Sequence, residues 1–230
     1  DHVYAKEIGI SFATGSKLTR LSKEIPTLAT TLPHSVHSSV FVRVDEERLD
    51  VLKILITGPP DTPYEGGCFV FDMFLPDSYP AKPPCCLITT TGGGRIRFNP
   101  NLYANGKVCL SLLGTWSGPG WIPSESTIMQ VLISIQSLIL VPDPYFNEPG
   151  YERTRGTSTG DRQSCSYNEA VQVNCVNYAM LAHLTGVTNG SKYFGDVIRA
   201  HFRLKKDHIL ANVEKWASTN TSQKTSMQQA

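Results

Sequence analysis

Apolar residues recur at alternating steps of three and four positions early in the chain. This spacing predicts an amphipathic helix that begins at about Ser16. The stripe consists of Leu18, Leu21, Ile25, Leu28 and Leu32. Pro26 falls inside the stripe and is expected to kink or interrupt the helix, because proline lacks an N–H donor. Residues 1–15 carry little periodicity and are predicted to form an irregular lead-in.

Four runs of alternating or continuously apolar residues follow and predict strands. They cover residues 40–44, 49–56, 68–75 and 85–90. Turn-forming residues such as Gly, Pro and Asp separate the runs. Because strands joined by short connections pair in opposite directions, we expect a four-stranded antiparallel meander.

Helical periodicity returns at Thr127, which is predicted to form a capping box with Gln130. We expect this helix to end before Pro142. Beyond it we predict a polar loop at 147–165 and two helices at about 167–184 and 193–216. The remaining residues are rich in Ser, Thr and Gln, a composition typical of disorder.

Composition narrows the class of protein. The formal net charge of +1 gives no basic field for nucleic acid. No apolar run approaches the roughly 18 residues that a membrane span requires. The six cysteines include neither a Cys-x-x-Cys pair nor zinc-type spacing, so no metal is expected. We interpret the chain as a reduced protein of the cytoplasm or nucleus, with no nucleic-acid or membrane partner.

The segment 92–126 has no regular pattern, yet it holds three consecutive glycines, an Asn-Pro-Asn turn and Cys109. Functional residues concentrate on long loops carried by a rigid frame, so we expect the site here. No histidine lies nearby to activate the thiol as a base. Cysteine needs such help least, because some thiolate exists at neutral pH. The arrangement therefore suits a thiol that accepts an already activated acyl group.

Several spaced motifs together resemble those of ubiquitin-conjugating enzymes. They are Pro63-Tyr64-Glu65-Gly66-Gly67, Tyr79-Pro80, Asn99-Pro100-Asn101, Gly106-x-Val-Cys-Leu and Trp121-x-Pro123. The resemblance covers about residues 16–150 and implies an α+β fold. In that fold the first helix precedes the four-stranded sheet, and the sheet packs on a central helix with further carboxyl-terminal helices. We expect one domain over 16–217, with its core at 16–150, and a disordered tail at 218–230.

Later features are similar to a narrower group, the large hybrid enzymes that combine conjugation and ligation. These features are the long loop before Trp121, the segment 145–153 and the pair His201-Phe202. The resemblance implies that the chain is a catalytic module of a longer protein. It also implies ubiquitin, the ubiquitin-activating enzyme and protein substrates as partners, together with a ligase or other domains of the longer chain.

The resemblance assigns the chemistry to Cys109, which would receive ubiquitin as a thioester and pass it to a lysine amine. No cofactor is expected, since ATP is consumed by the activating enzyme. Asn101 corresponds to a family asparagine that stabilises the oxyanion or shapes the loop. Glu148 corresponds to an acidic position that orients the acceptor amine. Asn99 stands where most relatives have a histidine with a hydrogen-bonding role in the turn.

Other positions correspond to partner contacts. Arg20 and Lys23 match basic residues of the first helix that contact the activating enzyme, and Pro123 lies in the loop beside the ligase-docking position. Tyr145 and Tyr103 are candidates for the walls of the acceptor channel. Ala81 departs from the family, which commonly has a large apolar residue there, and this argues against docking of an ordinary ligase.

Three alternatives stay open at this point. The same chemistry could serve another ubiquitin-like modifier. A non-catalytic ubiquitin-binding scaffold would lack the cysteine that this chain has. A cysteine hydrolase would need a base, and the candidates are His34, His37, His183, His201 and His208. None of these histidines stands in a pairing with Cys109 that the sequence makes recognisable.

Overall fold

A computed structural model describes residues 2–12, 15–186 and 189–219. Its centre is a four-stranded antiparallel sheet with the strand order β1-β2-β3-β4. The strands are β1 Val40–Val44, β2 Val51–Thr57, β3 Cys68–Phe74 and β4 Cys85–Ile88. The predicted meander is therefore confirmed, with strand ends within about two residues of their expected positions.

Two helices precede the sheet. The short helix α1, Ala5–Ile10, lies in the segment predicted to be irregular, so that prediction is wrong for these six residues. Helix α2 spans Gly15–Thr31 and buries Leu21 and Leu28. Pro26 does not interrupt it. Pro26 lies on the exposed side, where water can hydrate the carbonyl that loses its helical donor.

Helix α3, Ile128–Ser134, begins with the predicted capping box between Thr127 and Gln130. A π-helical turn at Ile135–Ile139 continues it. The apolar side of this continuous segment packs against one face of the sheet and against α2, forming the main core. The fold class predicted from the sequence is thus confirmed.

The polar loop predicted at 147–165 is largely helical. Single 3₁₀ turns cover Pro144–Asn147 and Tyr151–Thr154, and helix α4 already begins at Ser158 and runs to Asn174. The side chain of Thr157 caps α4 by accepting a hydrogen bond from the N–H of Gly160. A π-helical segment at Cys175–Leu181 and the turn α5, Ala182–Leu184, prolong α4.

The two carboxyl-terminal helices are α6, Asn189–Leu204, and α7, Lys206–Thr219. Helix α6 covers the second face of the sheet, whereas Ile209 and Trp216 of α7 belong to the main core. Phe194 and Ile198 of α6 pack on Leu55 and Val70, whose side chains leave the sheet away from the main core. The predicted tail at 218–230 begins too early, since α7 reaches Thr219, and its other residues lie outside the described part. Within the described ranges, no helix is long and apolar enough to cross a bilayer.

Candidate active site

The Asn-Pro-Asn turn is organised around Asn99, whose surface is completely buried. Its Nδ2 donates to the Tyr64 hydroxyl at 3.0 Å and to the Ile139 carbonyl at 2.7 Å. Its Oδ1 accepts from the Asn101 N–H at 2.8 Å and from Asn147 Nδ2 at 3.3 Å. The Asn99 amide thus links the turn to three other segments. They are the β2–β3 connection at Tyr64, the π-helical turn that ends at Ile139, and the 3₁₀ turn that ends at Asn147.

Asn101 holds Cys109 through two hydrogen bonds. The Cys109 N–H donates to the Asn101 carbonyl at 2.8 Å, and Asn101 Nδ2 donates to the Cys109 carbonyl at 2.8 Å. In the described structure, Asn101 Oδ1 is buried without a hydrogen-bond partner. Of the two roles expected for Asn101, this geometry supports the shaping of the loop, because the donor is already engaged by the backbone.

Cys109 lies just before the 3₁₀ turn Ser111–Leu113 and exposes only 2% of its surface. Thr115 fixes this turn: its Oγ1 donates to the Val108 carbonyl and accepts from the Leu110 N–H. The chain then folds back closely, since a Cβ on Gly118 would lie 3.2 Å from Ser111 Cβ. The thiol is therefore more enclosed than an accessible carrier cysteine requires.

Three other cysteines are buried in the core. Cys68, Cys86 and Cys175 are buried, and burial raises the pKa of the Cys68 thiol to about 12. It also raises the pKa of Cys86 and Cys175. These thiols hold almost no thiolate at neutral pH, which makes them structural residues. All six cysteines are free.

Glu148 is engaged by Arg97, a residue that the sequence analysis did not single out. Arg97 Nη2 lies 3.2 Å from Glu148 Oε2. The same guanidinium donates to the carbonyls of Asn99 and Pro100 and stacks 4.4 Å from the Tyr103 ring. A basic residue two positions before the turn was the available signal. Only the folded structure shows that the Arg97 side chain is hydrogen-bonded to the carbonyls of the turn.

The two tyrosines proposed as channel walls have different surroundings. Tyr145 donates from its hydroxyl to Gln163 Oε1 at 2.6 Å, and its ring packs 4.8 Å from that of Tyr151. Tyr103 carries Arg97 on its ring, and Lys107 Nζ lies 5.8 Å from the same centroid. Tyr103 is thus beside the Asn-Pro-Asn turn, whereas Tyr145 belongs to an aromatic cluster between the 3₁₀ turns and α4.

Of the basic residues expected to contact the activating enzyme, Arg20 has a structural role. It forms an ion pair with Glu24 and donates to the Ser126 carbonyl at 2.7 Å. Glu24 in turn accepts from the Tyr79 hydroxyl and from the Ile128 N–H. Lys23 is exposed on the same helix and remains the better candidate for a partner contact.

The expected ligase-docking region is exposed at Pro123 and Ala81. Ile122 is also exposed, by 47%. Trp121 instead packs on Tyr79 and donates to the Pro80 carbonyl at 2.6 Å. The tryptophan therefore fixes this loop, while the neighbouring residues form the surface.

Four of the five candidate bases of the hydrolase alternative are hydrogen-bonded to groups other than Cys109. His183 pairs with the Cys68 carbonyl, His201 with the Gly66 carbonyl and His208 with the Glu65 carboxylate. His34 bonds the carbonyl of Leu32. These contacts favour a carrier thiol over a histidine-activated nucleophile. Among the described residues, no group of three or more metal-ligating side chains is placed to hold an ion.

Comparisons with known proteins define the class. A sequence model of the family described as ubiquitin-conjugating enzyme matches residues 20–174. The chain belongs to this family, as its motifs and its fold both indicate.

Particular relatives extend the match towards the carboxyl terminus. The chain is 52% identical over 206 residues to the human dual E2 ubiquitin-conjugating enzyme/E3 ubiquitin-protein ligase BIRC6. This alignment covers 88% of the chain and 4% of that protein. It is 48% identical over 200 residues to the probable ubiquitin-conjugating enzyme protein 17 of Caenorhabditis elegans, with 86% of the chain and 27% of the relative covered. The narrower resemblance to large hybrid enzymes is confirmed. The chain spans only a small part of these relatives.

Proposed function

We propose that this chain carries ubiquitin as a thioester on Cys109 and transfers it to a lysine of a protein substrate. The observation that supports this most directly is the double hydrogen bond between Asn101 and Cys109, anchored by the buried amide of Asn99. It fixes the backbone of Cys109 against the Asn-Pro-Asn turn, and no base is bonded to the thiol. Such a thiol suits exchange between thioesters.

The chemistry has two acyl transfers. In the first, the Cys109 thiolate attacks the carbonyl carbon of ubiquitin's carboxyl-terminal thioester on the activating enzyme, and the thiolate of that enzyme leaves. In the second, a neutral lysine amine attacks the new thioester, the Cys109 thiolate leaves and the amine proton passes to solvent. The free energy comes from the activated thioester, so the site only has to position the reactants.

Asn101 is proposed to act through the loop. Its Nδ2 is 2.8 Å from the Cys109 carbonyl, so the side chain fixes the backbone that carries the sulfur. Glu148 is proposed to attract the acceptor ammonium and orient the amine, since an exposed lysine has a pKa near 10.4 and arrives charged.

Access to Cys109 is proposed to depend on the segment 111–120. Gly114 and Gly118 of this segment have φ values of 67° and 133°. These are left-handed or otherwise strained conformations that glycine adopts without a steric penalty. A shift here would uncover the thiol, which at 2% exposure cannot receive a protein tail in the described conformation.

The partners follow from the family and from the relatives. We propose ubiquitin and the activating enzyme as partners, the latter through the exposed Lys23, and we propose protein substrates in the cytoplasm or nucleus. The printed name of the human relative combines conjugating and ligase activities. Together with the small residue at Ala81, this supports substrate contacts made without an ordinary ligase at that position.

A charging assay tests the proposal. Activating enzyme, ATP and ubiquitin should give an adduct that thiols cleave, and Cys109→Ser should give an ester that thiols do not cleave. Cys109→Ala should give neither. Cys165→Ser is the matched control, because Cys165 is the exposed cysteine and should not matter.

The same assay decides the cargo. Parallel reactions with other ubiquitin-like modifiers and their own activating enzymes should give no adduct. Absence of any adduct on Cys109 would reject the conjugating function, and charging by another modifier alone would replace the cargo while keeping the mechanism.

A further inference from the structure

We propose that Arg97 is a positioning residue that also sets acceptor specificity, by exchanging Glu148 for a carboxylate located next to the target lysine. The inference rests on the proposed function, since it concerns the second acyl transfer. The substrate class it predicts is a lysine with acidic neighbours. Three features of the molecule support this proposal: the contacts that anchor Arg97, the weakness of its ion pair with Glu148 and the charges around Tyr103.

The backbone of the Asn-Pro-Asn turn anchors the guanidinium. Arg97 Nη2 donates to the Pro100 carbonyl at 2.6 Å, and Nε donates to the Asn99 carbonyl at 3.3 Å. Its planar group also stacks on Tyr103. These contacts do not involve Glu148, so the cation keeps its place when the carboxylate moves. Pro100 directly precedes Asn101, which is hydrogen-bonded to the backbone of Cys109, so the charge is held on the turn that positions the cysteine.

The ion pair itself is exchangeable. The side chains of Arg97 and Glu148 are 42% and 39% exposed. At such exposure water screens the attraction, and ion pairs of this kind contribute little to stability. Glu148 lies directly after the 3₁₀ turn Pro144–Asn147 and has extended backbone, so a rotation of its side chain is enough to separate the pair.

An incoming lysine changes the charge balance of this cluster. When its ammonium binds Glu148, Arg97 loses its counterion. Lys107 adds a second cation beside the same Tyr103 ring. A carboxylate on the acceptor, placed next to the lysine, would restore the balance by binding the guanidinium fork. A basic neighbour would be repelled there.

Single-turnover discharge of the charged enzyme measures the preference. Three peptides with one central lysine are compared, flanked by glutamates, glutamines or arginines. Wild-type enzyme should react about 3- to 5-fold faster with the acidic peptide than with the neutral one, the upper part of the range for one partly exposed charge pair. Charging by the activating enzyme is measured separately for every variant.

Substitutions at Arg97 separate the proposal from a structural role. Arg97→Gln should reduce the preference to within about twofold, and Arg97→Glu should invert it in favour of the basic peptide, since the sign of one charge pair is reversed. Arg97→Lys should keep a weaker preference, because the charge stays while the fork is lost. Arg155→Gln is the matched control: Arg155 is also ion-paired and stacked on an aromatic ring, but with Asp143 and Phe146.

Each outcome is decisive. If Arg97→Gln charges normally and keeps the preference for the acidic peptide, or if the wild-type enzyme shows no preference, the proposal is wrong. If every Arg97 variant slows charging as much as discharge, Arg97 supports the turn only, and the specificity role is rejected. If the wild-type enzyme cannot be charged at all, the proposed function fails first, which the charging assay shows independently.

Discussion

Two networks meet at the Asn-Pro-Asn turn, and they are built from different groups. The first is a network of two neutral amides, the fully buried Asn99 and the half-buried Asn101, whose side-chain nitrogens both donate hydrogen bonds. The second is a charged cluster of Arg97, Glu148 and Tyr103 on the surface of the same turn. The amide network fixes the position of the sulfur, whereas the charged cluster faces the solvent from which an acceptor arrives.

The two networks differ in the free energy that is lost when one of their contacts breaks. A buried amide that loses its partners costs about 1–3 kcal/mol for each group left unpaired. An exposed ion pair separates for about 0–1 kcal/mol. The neutral hydrogen bonds therefore hold the geometry of the turn, whereas the Arg97–Glu148 pair is the contact that can exchange partners at little cost.

The largest effect is expected at Asn99. Asn99→Leu removes the partners of the Ile139 carbonyl and the Asn101 N–H while keeping a branched side chain with the same number of heavy atoms. We expect a loss of about 2–4 kcal/mol in the free energy of unfolding, because both are left in the interior. Urea denaturation measures it. Asn147→Ala is the control, with long hydrogen bonds of 3.2 and 3.3 Å; an equal loss in both variants would contradict the central role of Asn99.

The next prediction uses pH to separate the turn from the carboxyl-terminal helices. Burial lowers the pKa of His183 and His201 below 6.5, and both rings bond backbone carbonyls next to the sheet. Below pH 6.5 the unfolded chain binds more protons at these sites than the folded chain does. The stability contributed by the neutral rings is therefore complete above that pH and is lost as the pH falls towards the lowered folded values.

Hydrogen exchange at pH 7.5 and pH 5.5 checks this prediction. Protection in α6 and α7 should fall at the lower pH more than protection in the turn, where Asn99 supplies no titrating group. His201→Gln should reduce the difference, and His208→Gln should not, because His208 is exposed. Equal loss in both regions would show that acid acts elsewhere.

Asn101 should affect the reaction more than the stability. Asn101→Ala removes one hydrogen bond to Cys109 together with an oxygen that is already unpaired, so we expect a loss of about 1 kcal/mol or less in unfolding free energy. Discharge of the thioester to lysine should slow by about tenfold or more, because a misplaced sulfur loses proximity. Rates of charging and discharge, measured with a urea titration, check this. A drop in stability that matched the loss of rate would contradict it.

The sequence predicted the frame because its signals are local. The alternation at Val40–Val44 and the capping box of Thr127 each depend on neighbours within a few residues. The start of α4 was missed because its first turns carry no apolar stripe. Small residues replace the stripe: a Cβ on Gly160 would come within 2.1 Å of the Thr154 carbonyl, so this helix packs through a glycine.

The sequence predicts candidate residues for the site but not the orientation of their side chains. The resemblance assigns Cys109, Asn101 and Glu148 to one site, but no pattern tells whether an asparagine amide faces a substrate or a backbone carbonyl. Arg97 was missed for the same reason. The role proposed for it depends on a side chain that turns back onto the carbonyls of Asn99 and Pro100, a contact that exists only once the turn has formed.

The smallest effect on stability is expected for the ion pair between Arg97 and Glu148. Arg97→Gln and Glu148→Gln, singly and together, should each change the unfolding free energy by no more than about 1 kcal/mol, with a coupling of about 0.5 kcal/mol or less. Salt at about 0.5 M should remove even that coupling, because the pair is exposed to screening. A double-mutant cycle in urea measures it. A coupling well above 1 kcal/mol would mean that Glu148 is locked in place, and a locked carboxylate could not be released to an acceptor lysine.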